Sequence, residues 1–362
     1  MSLEFHLCNN LRHLVFALAD IVGRGATARI LYLEDETPLS ADLKSRLRAA
    51  FGHIDILYDR DASQIKRFGG VPFTELTRRN LRFDGLRGIK VATGWPLPIL
   101  NGARFDVGYI YHSGLFCAKA ASVSCDRIVM RESGLNNYVN FPVAWPKAMI
   151  RCLVGLPAFR QVWGEEQWVD AIQVSKPGHL PHAVRHKGHK LTFPDVFGRL
   201  TPHDAALLGS IFVPERPVLG TGSKPRALLL TQPLDGVALC STPENRASYQ
   251  HIADELVRLG YEVHVKFHPR EKAYPLEGAS VLSAHFPIEL WAPLGLPPFD
   301  LAVAICSASL IEGDRSIAHQ AVQLLTPDAF TVQGLKQWRA GLPKNLAHLA
   351  RACESDQIPE HL

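Results

Sequence analysis

Residues Tyr261 to Arg270 read YEVHVKFHPR. Val263, Val265 and Phe267 alternate with His264, Lys266 and His268, the period-two pattern of a strand. Pro269 ends it, because proline cannot extend a ladder and disfavours helix in the residue before it. Lys266, His268 and Arg270 therefore fall at the carboxyl end of a strand, the edge where open α/β sheets bind ligands. Three cationic or protonatable groups there suggest a phosphate site; the plainer alternative is a strand that ends in a basic turn.

The alternation extends outward from this stretch. Arg226 to Thr231 reads as a strand, Pro243 to Leu259 as a helix with Thr242 as N-cap, and Phe299 to Ile305 as a strand leading into Cys306-Ser307-Ala308-Ser309. Residues 213–225 hold three prolines and two glycines and read as a linker. Before the linker the same rhythm appears. A strand ends at Cys8, Leu11 to Val22 is a helix closed by Gly23 and Gly25, and strands follow at Ala28–Leu33, His53–Tyr58, Asp106–Tyr111 and Arg127–Met130. Trp145–Leu153 and Ala158–Ile172 read as helices. Residues 61–100 resist assignment. The expected fold class is α/β in two Rossmann-like domains, 1–215 and 216–362, facing each other across a cleft. That is the GT-B plan, shared by glycosyltransferases and some sugar-nucleotide epimerases. Neither G-x-G-x-x-G after the first strand nor G-x-x-x-x-G-K-[ST] occurs, which argues against dinucleotide oxidoreductases and P-loop enzymes.

With 47% hydrophobic and 20% charged residues, the 362-residue chain has the balance of a soluble globular protein. No run approaches the roughly 18 apolar residues of a membrane span, and the start lacks the pattern of a signal peptide. Seven scattered cysteines without a C-x-x-C pair suit a reducing cytoplasm. The net charge of +4 tolerates anionic ligands but does not itself indicate nucleic acid, and none is expected as a partner.

Four short stretches, taken together, resemble the bacterial lipooligosaccharide sialyltransferases and capsule polysialyltransferases. Lys266-Phe267-His268-Pro269 is similar to the family's HP motif. Phe286-Pro287-Ile288-Glu289 resembles its Pro-x-Glu element, and Ser307-Ala308-Ser309-Leu310 its serine pair at a helix start. Glu132-Ser133-Gly134 resembles the D/E-D/E-G motif of the N-terminal half, with serine at the second acidic position. The resemblance implies a GT-B fold and a CMP-activated sialic acid or related 2-keto acid sugar (Kdo, pseudaminic or legionaminic acid) as donor. It also implies inversion at the anomeric carbon, no metal or other cofactor, and a bacterial surface glycan or lipid-linked acceptor, as in capsule or lipopolysaccharide biosynthesis. The alternatives are another GT-B enzyme that uses a UDP-sugar, transferase or epimerase, and a non-catalytic nucleotide- or glycan-binding relative.

Transfer from a CMP-sugar needs an acceptor hydroxyl deprotonated and a phosphate leaving group stabilised. Glu132, at a strand end before Gly134, is the candidate base, against an ordinary surface glutamate. His268 is the candidate donor to the departing phosphate, with Lys266 and Pro269 beside it. Ser307 and Ser309 at a helix start suit phosphate binding, and Glu289 suits a ribose. Asn9, Asn10 and Arg12 open the first helix and are the candidate acceptor contacts; capping is their plainer role. His179, His182, His186 and His189 could be read as zinc ligands, but prolines, glycines and cations surround them without a carboxylate. A mobile basic loop is the expectation, able to hold an anionic glycan or rest on anionic lipid, which would place the protein in the cytoplasm, peripheral on the inner membrane.

Overall fold

A computed structural model of the chain describes residues 3–67, 97–153, 158–213, 217, 219, 223–283, 286–307, 310, 317–326, 329–342, 344–346 and 349. It divides into two compact units, residues 1–211 and 212–362, each a parallel sheet carrying helices.

In the first unit β1 (Leu3–Cys8), α1 (Leu11–Arg24), β2 (Thr27–Leu33), α2 (Ala41–Ala50), β3 (Asp55–Asp59) and α3 (Asp61–Arg67) run in succession. Then come β4 (Phe105–Ile110), α4 (Phe116–Ala121) and β5 (Cys125–Arg131). A small hairpin, β6 (Phe141–Pro142) and β7 (Arg160–Gln161), flanks α5 (Trp145–Leu153). β8 (Ala171–Val174), β9 (Gly188–Lys190), α6 (Phe193–Phe197) and α7 (Pro202–Phe212) follow. The strand order is β3-β2-β1-β4-β5-β8-β9, paired in parallel throughout. The order reverses between β1 and β4, so that gap is the topological switch point.

The second unit repeats the plan. β10 (Arg226–Leu230), α8 (Thr242–Arg258), β11 (Glu262–Lys266), β12 (Ala279–Leu282), β13 (Phe299–Ala304), β14 (Ala318–Gln323) and α9 (Val332–Ala340) form a parallel sheet ordered β12-β11-β10-β13-β14. Its switch point lies between β10 and β13. The chain is therefore α/β with two Rossmann-like units, the parts of the expected GT-B plan. In β11 both faces are covered: Val263 and Val265 join the core and His264 and Lys266 are buried as well, as a central parallel strand requires.

Several boundaries differ from the sequence reading. Gly23 lies inside α1, and Gly25 alone is the cap, at φ 60°. Ser241, one residue before the expected Thr242, caps α8 through Glu244. The expected helix over 158–172 is absent; that stretch forms β7, turns and β8. Gly164 sits at φ 84°, where an added Cβ would stand 2.6 Å from Ile172 Cδ1 and 2.8 Å from Met130 Cε. A helix would carry Trp168 and Val169 away from the core that buries them. The histidine segment is likewise built in. Leu180 and Val184 are fully buried, Arg185 Nε donates to the Leu180 carbonyl, and β9 pairs with β8. Among the described residues no group of three or more His, Cys, Asp or Glu is placed to hold a metal, and no helix is long and apolar enough to cross a membrane.

One feature of the first unit's core is ionic. Arg131, at the end of β5, is buried and pairs with Asp20 of α1, and its guanidinium lies 3.8 Å from the Tyr109 ring centroid. Asp20 also accepts from Arg24 (2.8 Å), and Arg24 in turn grips Glu4 of β1 at 2.7 and 2.6 Å. These arginines overcome the burial penalty and hold the Glu4 and Asp20 carboxyls down at about 2. His6 is bonded to Glu4 yet held at about 4 by burial. The four permanent charges cancel, which is what allows them to be buried.

The histidines set a pH dependence. Burial keeps His6 and His268 neutral, each at about 4 against an ordinary 6.5, and pushes His13 and His112 down too. The native state thus binds fewer protons than the unfolded chain between those values, so stability is full above pH 6.5 and falls as pH drops toward 4. The melting temperature is expected to decline from pH 7 to pH 5. A flat profile over that interval would mean these histidines are not shielded as described.

Candidate functional site

The carboxyl edge of the second sheet gathers most of the expected groups. β10, between β11 and β13, is followed by Thr231 and Gln232. Thr231 Oγ1 accepts from His268 N (3.1 Å) and donates to Glu271 Oε2. Gln232 Oε1 accepts from Cys306 N (3.3 Å), and Gln232 N donates to the Tyr249 hydroxyl (2.8 Å). The strand ends that carry His268 and Ser307 are thereby tied to one another.

His268 is set in a reciprocal turn. Its N–H donates to Glu271 Oε2 (3.0 Å), and its carbonyl accepts from Glu271 N (2.8 Å). Arg270 N donates to His268 Nδ1 (3.2 Å). A ring nitrogen that accepts a backbone N–H carries no proton, so the hydrogen is on Nε2. Burial first, then the charges of Arg270 and Lys266, hold the ring at about 4. At neutral pH His268 is therefore an uncharged Nε2–H donor. Of a proton or a hydrogen bond, the two ways a donor here could serve the departing phosphate, the neutral ring suits the second: it can stabilise a developing charge without being imidazolium.

Lys266, at the strand's last position, is buried. Burial lowers its pKa, and the carboxylates of Glu289 and Glu271 oppose that shift. Glu289 stands in a short 3-10 turn, Ile288–Leu290, after Pro287. Trp291 anchors this turn, donating Nε1–H to the Pro297 carbonyl (2.9 Å) and packing on Phe286 and Phe299. Pro269 occupies the loop after His268, half-buried. Ser307 is held by its backbone to Gln323 of β14, donating N–H to Oε1 (2.8 Å) and accepting from Nε2. Among the described residues its hydroxyl makes no hydrogen bond. Ser309 lies outside the described residues.

The first helix of this unit offers no second phosphate site. Ser241 N and Oγ both donate to Glu244 (2.8 Å each), and Asp235 accepts from Thr242 Oγ1 (2.7 Å), Asn245 Nδ2 (3.1 Å) and Gly236 N (3.0 Å). These bonds keep both carboxyls below the usual range, Glu244 at about 2. A phosphate at the start of α8 would meet the Asp235 carboxylate and that of Glu244, the latter paired with Arg339 at 2.6 Å.

At the first sheet's carboxyl edge, Glu132 follows β5 and is half-buried. Its Oε2 accepts from Ser175 N (2.6 Å) at the end of β8. Tyr138 neighbours it, with burial and the Glu132 charge raising the phenol's pKa. The Tyr138 hydroxyl also contacts Ser175 Oγ at 3.1 Å and accepts from Lys176 N at 3.3 Å. The carboxylate thus has a positioning bond on one oxygen. Ser133, in the second motif position, has its backbone N–H bonded to Asn137 Oδ1 (2.8 Å).

Asn9 and Asn10 also reach this edge, but serve His13. Asn10 caps α1 by accepting from His13 N (2.9 Å) and lies 3.2 Å from His13 Nε2, while Asn9 Oδ1 accepts from Nδ1 (2.6 Å). His13 is buried and stacks on Tyr111 at 3.9 Å, whose hydroxyl donates to the His13 carbonyl (3.2 Å). At the β1/β4 switch point Asn9, Asn10, His13 and Tyr111 are thus bonded to or stacked on one another. Arg12 lies over the Phe193 ring at 4.7 Å. Reasoning from sequence missed Thr231, Gln232 and Glu271. The last was legible: a carboxylate three residues after His268 is the spacing of a reciprocal turn.

No family model matches the sequence, and no curated protein is similar to it at a significant level. Among solved structures, the chain is similar to a spinosyn rhamnosyltransferase complexed with spinosyn aglycone (12% identity, 98% of this chain and 94% of that one, TM-score 0.40). It is also similar to a UDP-GlcNAc 2-epimerase of Methanocaldococcus jannaschii (12%, 93% and 91%, TM-score 0.43). A third is a UDP-glucosyltransferase from Polygonum tinctorium (10%, 98% and 98%, TM-score 0.41).

Proposed function

We propose that the chain is a nucleotide-sugar glycosyltransferase of the GT-B type, with the donor held by the second unit and the acceptor by the first. The observation that supports it best is the second sheet's carboxyl edge. There a neutral His268 Nε2–H and Ser307, whose hydroxyl makes no hydrogen bond among the described residues, stand on strand ends tied together through β10, beside the buried Lys266. A leaving phosphate needs hydrogen-bond donors that are already oriented, and this set provides them without a metal in the proposed step. Glu289, in the field of Lys266, would accept from a ribose hydroxyl. Glu132 would take the proton of the acceptor hydroxyl, its bond from Ser175 N fixing the carboxylate's direction.

The donor we favour is a CMP-activated 2-keto acid sugar, on the four-motif resemblance to bacterial sialyltransferases. The acceptor would be a surface glycan or its lipid-linked precursor, and inversion would follow from a single displacement. A UDP-sugar transferase or epimerase is the second reading; the nucleotides in the names of the similar structures are uridine nucleotides. A binding protein without turnover is the third, favoured by Ser133 in place of an acid.

Donor turnover measured across CMP- and UDP-sugars separates the three. Glu132→Gln is expected to abolish transfer while leaving nucleotide affinity nearly unchanged, because the amide still accepts from Ser175 N but is no base. A fully active variant would move the base elsewhere.

A further inference from the structure

Three large apolar side chains that stand in solvent are neighbours on the first unit. Trp145 (67% exposed) and Met149 (51%) lie one turn apart on α5, and exposed Cys152 continues their stripe. Ala148 and Arg151 turn inward instead. Ala148 is buried, and the Arg151 guanidinium bonds the Arg160 carbonyl (3.0 Å) and the Glu165 carboxylate. Phe159 (68% exposed) precedes β7, and its carbonyl accepts from Val143 N (3.1 Å), which sets it beside the chain that enters α5. Phe141 stacks on Trp163 at 5.9 Å and fixes the base of the hairpin. The other strongly exposed large apolar residues described, Val237, Val257, Val281 and Val332, are smaller and spread through the second unit.

The sequence on either side of this stretch is mostly basic. Residues 133–164 contain no acidic residue, and Arg160 is exposed next to Phe159. Glu165 is engaged with Arg151, and Glu166 is buried. Residues 171–194 also lack acids and bring Lys176, Arg185, Lys187 and Lys190 with four histidines. Lys187 Nζ donates to the carbonyls of Gly164 (3.0 Å) and Glu166 (2.8 Å), tying that basic segment to the turn beside the hairpin. Arg160, Arg185 and Lys190 are exposed.

We propose that this face docks on an anionic bilayer, with Trp145, Met149 and Phe159 entering the boundary between headgroups and acyl chains and the basic residues meeting lipid phosphates. Two aromatics bury at most about 250 Å² each, so with a methionine the patch falls short of the roughly 800 Å² per partner that a stable dimer needs. A bilayer needs no complementary shape. It accepts projecting tryptophan and phenylalanine flanked by cations, and rewards each surface cation. The proposal is independent of the transfer reading.

The test sediments the full chain with vesicles of phosphatidylcholine, alone or with about one third phosphatidylglycerol. Partition onto the anionic vesicles is expected to exceed that onto neutral ones by about tenfold or more and to weaken at high salt. A Trp145→Ser, Met149→Ser, Phe159→Ser variant is expected to lose about tenfold or more of that binding with an unchanged melting temperature, since all three side chains are exposed. Phe159→Ser alone gives a milder variant with the same direction of effect. Failure of the wild type to bind anionic vesicles overturns the proposal, as does equal binding by the triple variant. A wild-type dimer that the triple variant converts to monomer, without vesicle binding, would give the face to a second copy instead.

Discussion

Replacing His268 with alanine is expected to lower turnover by about 10²–10³-fold, the loss typical of one oriented donor to a developing oxyanion. The melting temperature should barely move, because Thr231 and Glu271 bond the backbone N–H of His268 and not its ring. His268→Gln, which keeps an N–H at a similar reach, is expected to recover about tenfold of the loss, the value of one net hydrogen bond. The pH profile distinguishes a neutral donor from a proton donor. With the ring held at about 4, His268 contributes no decline in turnover between pH 6 and 8. An imidazolium acid with an ordinary value would lose activity as pH rises through 6.5. Unchanged turnover in His268→Ala would remove the residue from the mechanism.

The largest expected effect on stability lies at Arg131. Arg131→Ala leaves Asp20 buried with one partner fewer and is expected to cost about 3–5 kcal/mol. For a unit of this size that corresponds to a melting temperature lower by about 6–20 °C. Replacing Arg131 with methionine and Asp20 with leucine together should recover much of the loss, because neither charge is then stranded. Urea unfolding of the three proteins checks this; equal destabilisation by the single and double variants would show that the ion pair is not what holds β5 to α1.

What could be read in advance follows physical lines. β11 and the end at Pro269 were legible because alternation and a ring-locked φ act locally. The strands 226–231 and 299–305 were legible for the same reason, being short apolar runs between turn residues. β8 was not: Trp168, Val169 and Ile172 have spacing that suits a helix as well as a buried strand, and only pairing with β5 decides between them. The ionic core was hidden because its members are far apart in sequence, although Asp20 amid Leu14, Val15, Leu18 and Ile21 is a carboxylate on an apolar helix face. At the candidate site, Lys266, His268 and Arg270 read as a phosphate-site pattern and Glu289 as a ribose contact; Lys266 and His268 lie at one strand end, with Glu289 near enough to act on Lys266. The tautomer and neutrality of His268 depend on where Arg270 N points and on burial, which no spacing encodes. Asn9 and Asn10 were placed at the correct edge, but their engagement with His13 comes from the turn's geometry.

The most direct test of the account is thermal unfolding of the protein with CMP, UMP, UDP and GDP in parallel. A ligand that binds only the native state at roughly 100 times its Kd adds about 2.7 kcal/mol. Stabilisation by CMP, undiminished in Glu132→Gln, is the predicted result. Stabilisation by UDP instead would keep the phosphate site and change the donor, while no stabilisation by any nucleotide would contradict the account.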